Sequence, residues 1–154
     1  QRQLKNSPSL WMVENRQSQL NRIRPSASPT MLKSLMSTST NRSGAIQLLI
    51  DLFHCYVVLK GHHTLVGSPN NAIYSCNASN PGMATGGMGD VLTGLIASLA
   101  AQGICHHLNL WEATCLAVEL HARAADHLVQ SGIGPNGMTA LELAKAVRKL
   151  INQT

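Results

Sequence analysis

The chain is poor in aromatic rings and in charge. Two Trp, two Tyr and one Phe make up 3% of its residues, and the four charged types together make 12%, about half the usual share. Its basic residues have no aromatic interleaving and no helix-turn-helix or ribonucleoprotein pattern beside them, so no nucleic-acid partner is expected. No apolar run reaches the length of a membrane-spanning helix, so no membrane partner is expected either. No basic segment leads into an apolar h-region, which argues against a signal peptide. The four cysteines, Cys55, Cys76, Cys105 and Cys115, include no C-x-x-C pair. That absence disfavours a disulfide framework and rejects a zinc site, Cys105-His106-His107 included. Reduced thiols point to a cytoplasmic protein.

What is present is unevenly placed. The net charge of +5 over 154 residues lies entirely in the first segment: residues 1–44 carry seven Lys/Arg against one Glu, residues 45–154 five against six acids. Residues 1–42 are polar, Ser-rich and broken by three prolines, and read as an irregular leader. From Ser43 the pattern changes. SGAIQLLIDLFH sets Ile46, Leu49, Ile50 and Phe53 on one helical face, with Ser43 as N-cap. YVVLKG reads as a buried strand, and TLVG and AIYSC as two more joined by the turn SPNN. Strands are expected at 56–60, 64–67 and 72–76 in one sheet, and helices at 90–102, 110–130 and 139–151 packed on it.

The helical signals are specific. Val91, Leu92, Leu95, Ile96 and Leu99 form one face of the first of these helices. Gly94, Ala97, Ser98 and Ala101 form a small-residue stripe that would admit another backbone, and Gly103 is the expected stop. Asn109 with Glu112, and Thr139 with Glu142, have capping-box spacing. The last helix is expected to bury Leu143, Ala144, Val147, Leu150 and Ile151. Strands followed by helices, with one glycine-rich passage between, make the fold α/β.

That passage, NPGMATGGMGDVLTG, places Gly82, Gly86, Gly87 and Gly89 immediately ahead of a helix. The first turn of a helix leaves backbone N–H groups unpaired and carries partial positive charge. Glycines there remove side chains that would keep an anion away. No Lys-Ser/Thr pair follows, so this is no P-loop, and Leu92 stands where a dinucleotide fingerprint needs glycine. Asp90 directly follows the last glycine. It either caps its own helix through the dipole or accepts a proton from a hydroxyl attacking a phosphoryl group held by the N–H donors.

NPGMATGGMGDVLTGLIASLAAQG resembles the signature of the ADP-dependent NAD(P)H-hydrate dehydratases of the ribokinase-like superfamily. VVLKGHHTLV is similar to the same family's nucleotide-contact strand, AVELHARAADHL to its following helix and NGMTALELAKAVRKLI to its closing helix. The resemblance spans residues 43–151 and implies the C-terminal half of a three-layer α/β/α domain, residues 43–154, behind the leader. It departs at Ser79, where the family has glycine, and at PSASPTMLKSL, which lacks the family's upstream histidine, glycine and acid.

The resemblance implies dehydration of hydrated NADH or NADPH, with ADP as phosphoryl donor and Mg2+ on the phosphates. Lys60, Gly61, His62, His63 and Thr64 would contact ADP, together with Asn80, Pro81, Gly82, Met83, Ala84, Thr85, Gly86, Gly87, Met88 and Gly89. Gly87, Met88 and Gly89 would form the anion hole, and Asp90 would bind the substrate hydroxyl as catalytic base. No metal ligand is assigned. The partners implied are a homo-oligomer and an NAD(P)H-hydrate epimerase, fused or separate. The rival readings are a vitamin-like alcohol kinase of the same superfamily and a non-catalytic nucleotide-binding half-domain. His62 and His63 read as loop residues, His121 as a half-buried helix histidine with its bonds satisfied, and Met83, Met88 and Met138 as packing.

Overall fold

The structure, a computed structural model, describes residues 42–153. The expectations for the leader up to residue 41, PSASPTMLKSL included, lie outside the described residues. Helix α1 (Arg42–Phe53) leads into strands β1 (Val57–Leu59), β2 (Thr64–Ser68) and β3 (Asn71–Cys76). A single 3-10 turn (Pro81–Ala84) and helices α2 (Met88–His106), α3 (Leu110–Gln130) and α4 (Ala140–Ile151) complete the order. Because α1 already begins at Arg42, Ser43 lies inside its first turn and is not its N-cap.

The strands form one antiparallel sheet in the order β1-β2-β3. Val58 faces Val66 and Leu59 faces Leu65 across the first pair; Val66 faces Tyr74 across the second, with an irregularity between Val66 and Ser68. Strand alternation then divides the side chains between two layers. Val57, Leu59, Leu65 and Ile73 pack with Ile46 and Ile50 of α1. Val58, Val66, Tyr74 and Cys76 pack with Leu92 and Leu99 of α2 and Ala113, Ala117, Val118 and Ala122 of α3. The sheet is thus enclosed between helices, the α/β/α arrangement expected. As the outer strand, β1 is only half-buried along its length rather than buried.

A further core lies away from the sheet, where Met88, Ala124, Ala125 and Leu128 meet Met138, Leu143, Ala146 and Val147. The inner stripe of α4 is Leu143, Ala146 and Val147 with Leu150 partly buried, the i, i+3, i+4, i+7 spacing of one helical face, and Ala144 is only half-buried beside it. Ile151, expected inside, is 40% exposed. Residues 46–154 form one compact unit.

Two expectations for α2 are corrected. The helix runs past Gly103 to His106, where His107 takes the left-handed conformation (φ 59°) and its N–H bonds the Gly103 carbonyl. Gly103 is needed for proximity: a Cβ there would stand 2.7 Å from the Leu108 carbonyl oxygen. The stripe Gly94, Ala97, Ser98 and Ala101 is exposed, and a Cβ at Gly94 would meet open space. By length and composition alone α2 is also long and apolar enough to cross a membrane. Counting unbroken apolar runs misses this, because glycine, serine and glutamine interrupt the run without adding charge. Here α2 packs on α3 and the sheet.

Candidate functional site

The loop from Lys60 to Thr64 leaves the end of β1 and closes on itself, the Thr64 hydroxyl donating to the Gly61 carbonyl at 3.4 Å. His62 and His63 are loop residues, their rings meeting edge to face at 4.1 Å, and His63 has φ 56°. Nδ1 of His62 lies 2.5 Å from the Ser79 hydroxyl, tying this loop to the one after β3. Ser79, where the sequence departs from the pattern of the family it resembles, is thus met by His62.

After Ser79 the chain enters the glycine-rich passage. Asn80 caps the 3-10 turn: its Oδ1 accepts from the Gly82 N–H at 3.0 Å, and the Thr85 hydroxyl donates to the Gly82 carbonyl at 3.1 Å. Asn80 also donates through Nδ2 to Asp126 Oδ1 on α3, at 3.1 Å. Gly82 is buried, and a Cβ there would meet the Pro135 carbonyl oxygen at 2.8 Å. At the far end Gly87 is the N-cap of α2, with φ 84° and no side-chain capping bond. Its carbonyl accepts from the N–H groups of Asp90 and Val91, both at 3.1 Å. Gly86 and Gly89 have open space where a Cβ would stand. The start of α2 is therefore open backbone with the positive end of the helix dipole behind it. Asp90 stands exposed in that turn, and its carboxylate bonds to no described residue.

These segments border a cavity of about 410 Å³, within the usual size range for small-molecule sites. Of the residues expected to bind nucleotide, Lys60, Gly61, His62, Thr64, Asn80, Pro81, Met83 and Ala84 line it. His63, Gly82, Thr85, Gly86, Gly87, Met88, Gly89 and Asp90 do not. Gly82 and the Met88 side chain are packed inside, while the other glycines and Asp90 belong to the turn that opens α2, two residues ahead of the wall residue Leu92. Met83 both lines the cavity and packs partly on the core beside α4.

Partial burial lowers the Lys60 ammonium below its ordinary value. His121, also a wall residue, is fully buried at 2% exposure rather than half-buried. Its Nε2 donates to the Met88 carbonyl at 2.8 Å. Burial lowers its pKa, that bond raises it, and the nearby Lys60 charge lowers it again. The sequence reading missed Ser79 as a partner of His62, and the reach of His121 into the cavity. His121 shares an apolar helical face with Thr114, Ala117, Val118, Ala124 and Leu128, so it read as a half-buried helix histidine with its bonds satisfied. Among the described residues no group of three or more His, Cys, Asp or Glu side chains could hold a metal ion.

Residues 28–149 match the family model described as NAD(P)H-hydrate dehydratase. The chain is 43% identical over 113 residues to the ADP-dependent (S)-NAD(P)H-hydrate dehydratase of Neisseria meningitidis, covering 73% of this chain and 37% of that protein. It is 42% identical over 112 residues to the bifunctional NAD(P)H-hydrate repair enzyme Nnr of Coxiella burnetii, covering 73% of this chain and 22% of that protein. The chain thus spans well under half the length of these curated relatives. Its fold is similar to that of the ADP/ATP-dependent NAD(P)H-hydrate dehydratase of Bacillus subtilis co-crystallised with ATP and Mg2+. The TM-score is 0.66 at 24% identity, over 74% of this chain and 39% of that one. The fold is ribokinase-like.

Proposed function

The chain belongs to the NAD(P)H-hydrate dehydratase family, and from that premise we propose that it supplies the nucleotide-binding and proton-accepting half of an ADP-dependent dehydratase acting on hydrated NADH or NADPH. Residues 43–154 are that half, and the protein works in the cytoplasm as a homo-oligomer alongside an NAD(P)H-hydrate epimerase activity. The observation that carries the reading is the meeting of two separate segments, Lys60–Thr64 and Asn80–Ala84, at one cavity beside the open first turn of α2.

ADP lies in the cavity with its phosphates toward that turn. The Lys60 ammonium offsets phosphate charge, and the backbone N–H groups of Gly87, Met88 and Gly89 face the oxygens of the β-phosphoryl group. Asp90 takes the proton from the 6-hydroxyl of the hydrated nicotinamide. The hydroxyl oxygen bonds to the β-phosphorus as the bond to the bridging oxygen breaks, and AMP leaves. The phosphate ester then loses phosphate and a ring proton, which restores the ring double bond. Mg2+, bound with the nucleotide, would supply charge neutralisation on its phosphates.

The test is to incubate the chain with ADP, Mg2+ and hydrated NADH, and to follow AMP and the NADH absorbance together. The dehydratase reading expects both to rise in equal amounts. A stable phosphate ester with no NADH would favour the alcohol kinase. Binding of ADP with no turnover would favour the non-catalytic half-domain, a reading supported by PSASPTMLKSL, which lacks the family's upstream histidine and acid.

A further inference from the structure

We infer that helix α3 clamps both ends of the glycine-rich loop, Asp126 at its entry and His121 at its exit, and that these two positioning residues orient the N–H donors of the anion site. The inference rests on the functional reading above and deepens it.

At the entry, the Asn80 amide is used at both ends. Its Nδ2 donates to Asp126 and its Oδ1 accepts from the Gly82 N–H. A carboxylate only accepts, so Asp126 dictates which end of the amide turns toward α3. With Nδ2 drawn to Asp126, Oδ1 is left facing Gly82, and the turn Pro81–Ala84 starts from that bond. Without Asp126 the amide could flip and set an N–H₂ group against the Gly82 N–H.

At the exit, the Met88 carbonyl also only accepts, so His121 must present Nε2–H to it. A peptide unit is planar, with its C=O and the following N–H pointing in opposite directions. Holding the Met88 oxygen therefore sets the direction of the Gly89 N–H, one of the three donors assigned to the anion. His121 is buried at 2% exposure, so its side chain has little freedom to release that carbonyl. The partners lie 46 and 33 residues apart in sequence, and on the loop side they bracket Asn80 to Met88. Between the two pins the turn Pro81–Ala84 is held by the Thr85–Gly82 bond and by Met83 on the core, while Gly86 carries no side chain and Gly87 lacks a side-chain cap.

The experiment titrates ADP into the chain by calorimetry, with amide NMR signals of Gly86, Gly87 and Gly89 as the second readout. The variants are His121→Phe, which keeps a buried ring without a donor, and Asp126→Ala, which removes the acceptor. Each is expected to weaken ADP binding roughly three- to tenfold, the scale of one hydrogen bond, and to displace the glycine signals before ADP is added. His121→Gln and Asp126→Asn keep a donor and an acceptor in place and should recover most of the loss. Ile50→Val, in the core under α1, serves as the stability control: it should lower the melting temperature and leave ADP affinity unchanged. If His121→Phe does not fold, the half-buried Asp126 still carries the test. Wild-type binding at the glycines with unchanged affinity and signals in the folded variants would overturn the clamp. No ADP binding at the glycines in the wild type would overturn the functional reading, and the clamp with it.

Discussion

Replacing Asp90 by Asn separates catalysis from helix stability in one variant. Asp90 occupies the first turn of α2, exposed, with its carboxylate bonded to no described residue. Asp90 lies within the first turn rather than at the N-cap, Gly87, and its carboxylate caps none of the N–H groups that open the helix. The only stabilising role left to it is attraction to the helix dipole, worth about 0.3–1 kcal/mol at an exposed site. Asparagine keeps the size and removes both the charge and the proton acceptor. As general base, Asp90 would contribute about 10²–10⁴-fold to turnover, so D90N should lose turnover by that factor. Its melting temperature should fall by only a few degrees. Nucleotide affinity should change little, because the N–H donors stay and a negative charge near the phosphates is lost. The assay measures NADH recovery, ADP binding and chemical denaturation on the same preparation. Near-normal turnover with a clear stability loss would refute the reasoning and return Asp90 to a purely electrostatic role at the helix start.

Three further outcomes are expected. Gly103→Ala should destabilise by about 1–3 kcal/mol in denaturant, since its Cβ would stand 2.7 Å from a backbone carbonyl oxygen that cannot easily move. Thr139→Ala breaks the capping box with Glu142 at the start of α4 and should cost about 1 kcal/mol by the same measurement. The Tyr74 phenol donates to the Glu119 carboxylate, and burial first, then that bond and the Glu119 charge, push its pKa up. A raised folded-state pKa gives stability that is complete below the unfolded value, about 10, and is lost as pH rises above it. The alkaline fall in melting temperature should therefore be shallower in Tyr74→Phe, and an identical alkaline profile would count against this coupling.

Much of the architecture is readable from short stretches because the bonds that make it are short in sequence. Asn109 with Glu112 and Thr139 with Glu142 close capping boxes within three residues, so the starts of α3 and α4 follow from residue type alone. The alternation in VVL and TLV already divides side chains between two faces, and the glycines before Asp90 already mark an open helix start. The sequence motif also carried the family, since NPGMATGGMGDVLTG is a continuous string.

Other features depend on which surfaces meet. Gly103 reads locally as a helix stop, yet it is a point of close approach to Leu108, and the helix ends only at His107. The cavity wall mixes residues from Lys60 to Ala122, and no local pattern announces that His62 finds Ser79 or that His121 finds Met88. A hydrogen bond between residues 33 apart forms only once the helices have docked. Caps, strand alternation and motif were therefore determined by the sequence alone, through forces acting over a few residues. The walls of the cavity and the two pins from α3 were decided by tertiary packing, which alone brings distant donors within reach of their acceptors.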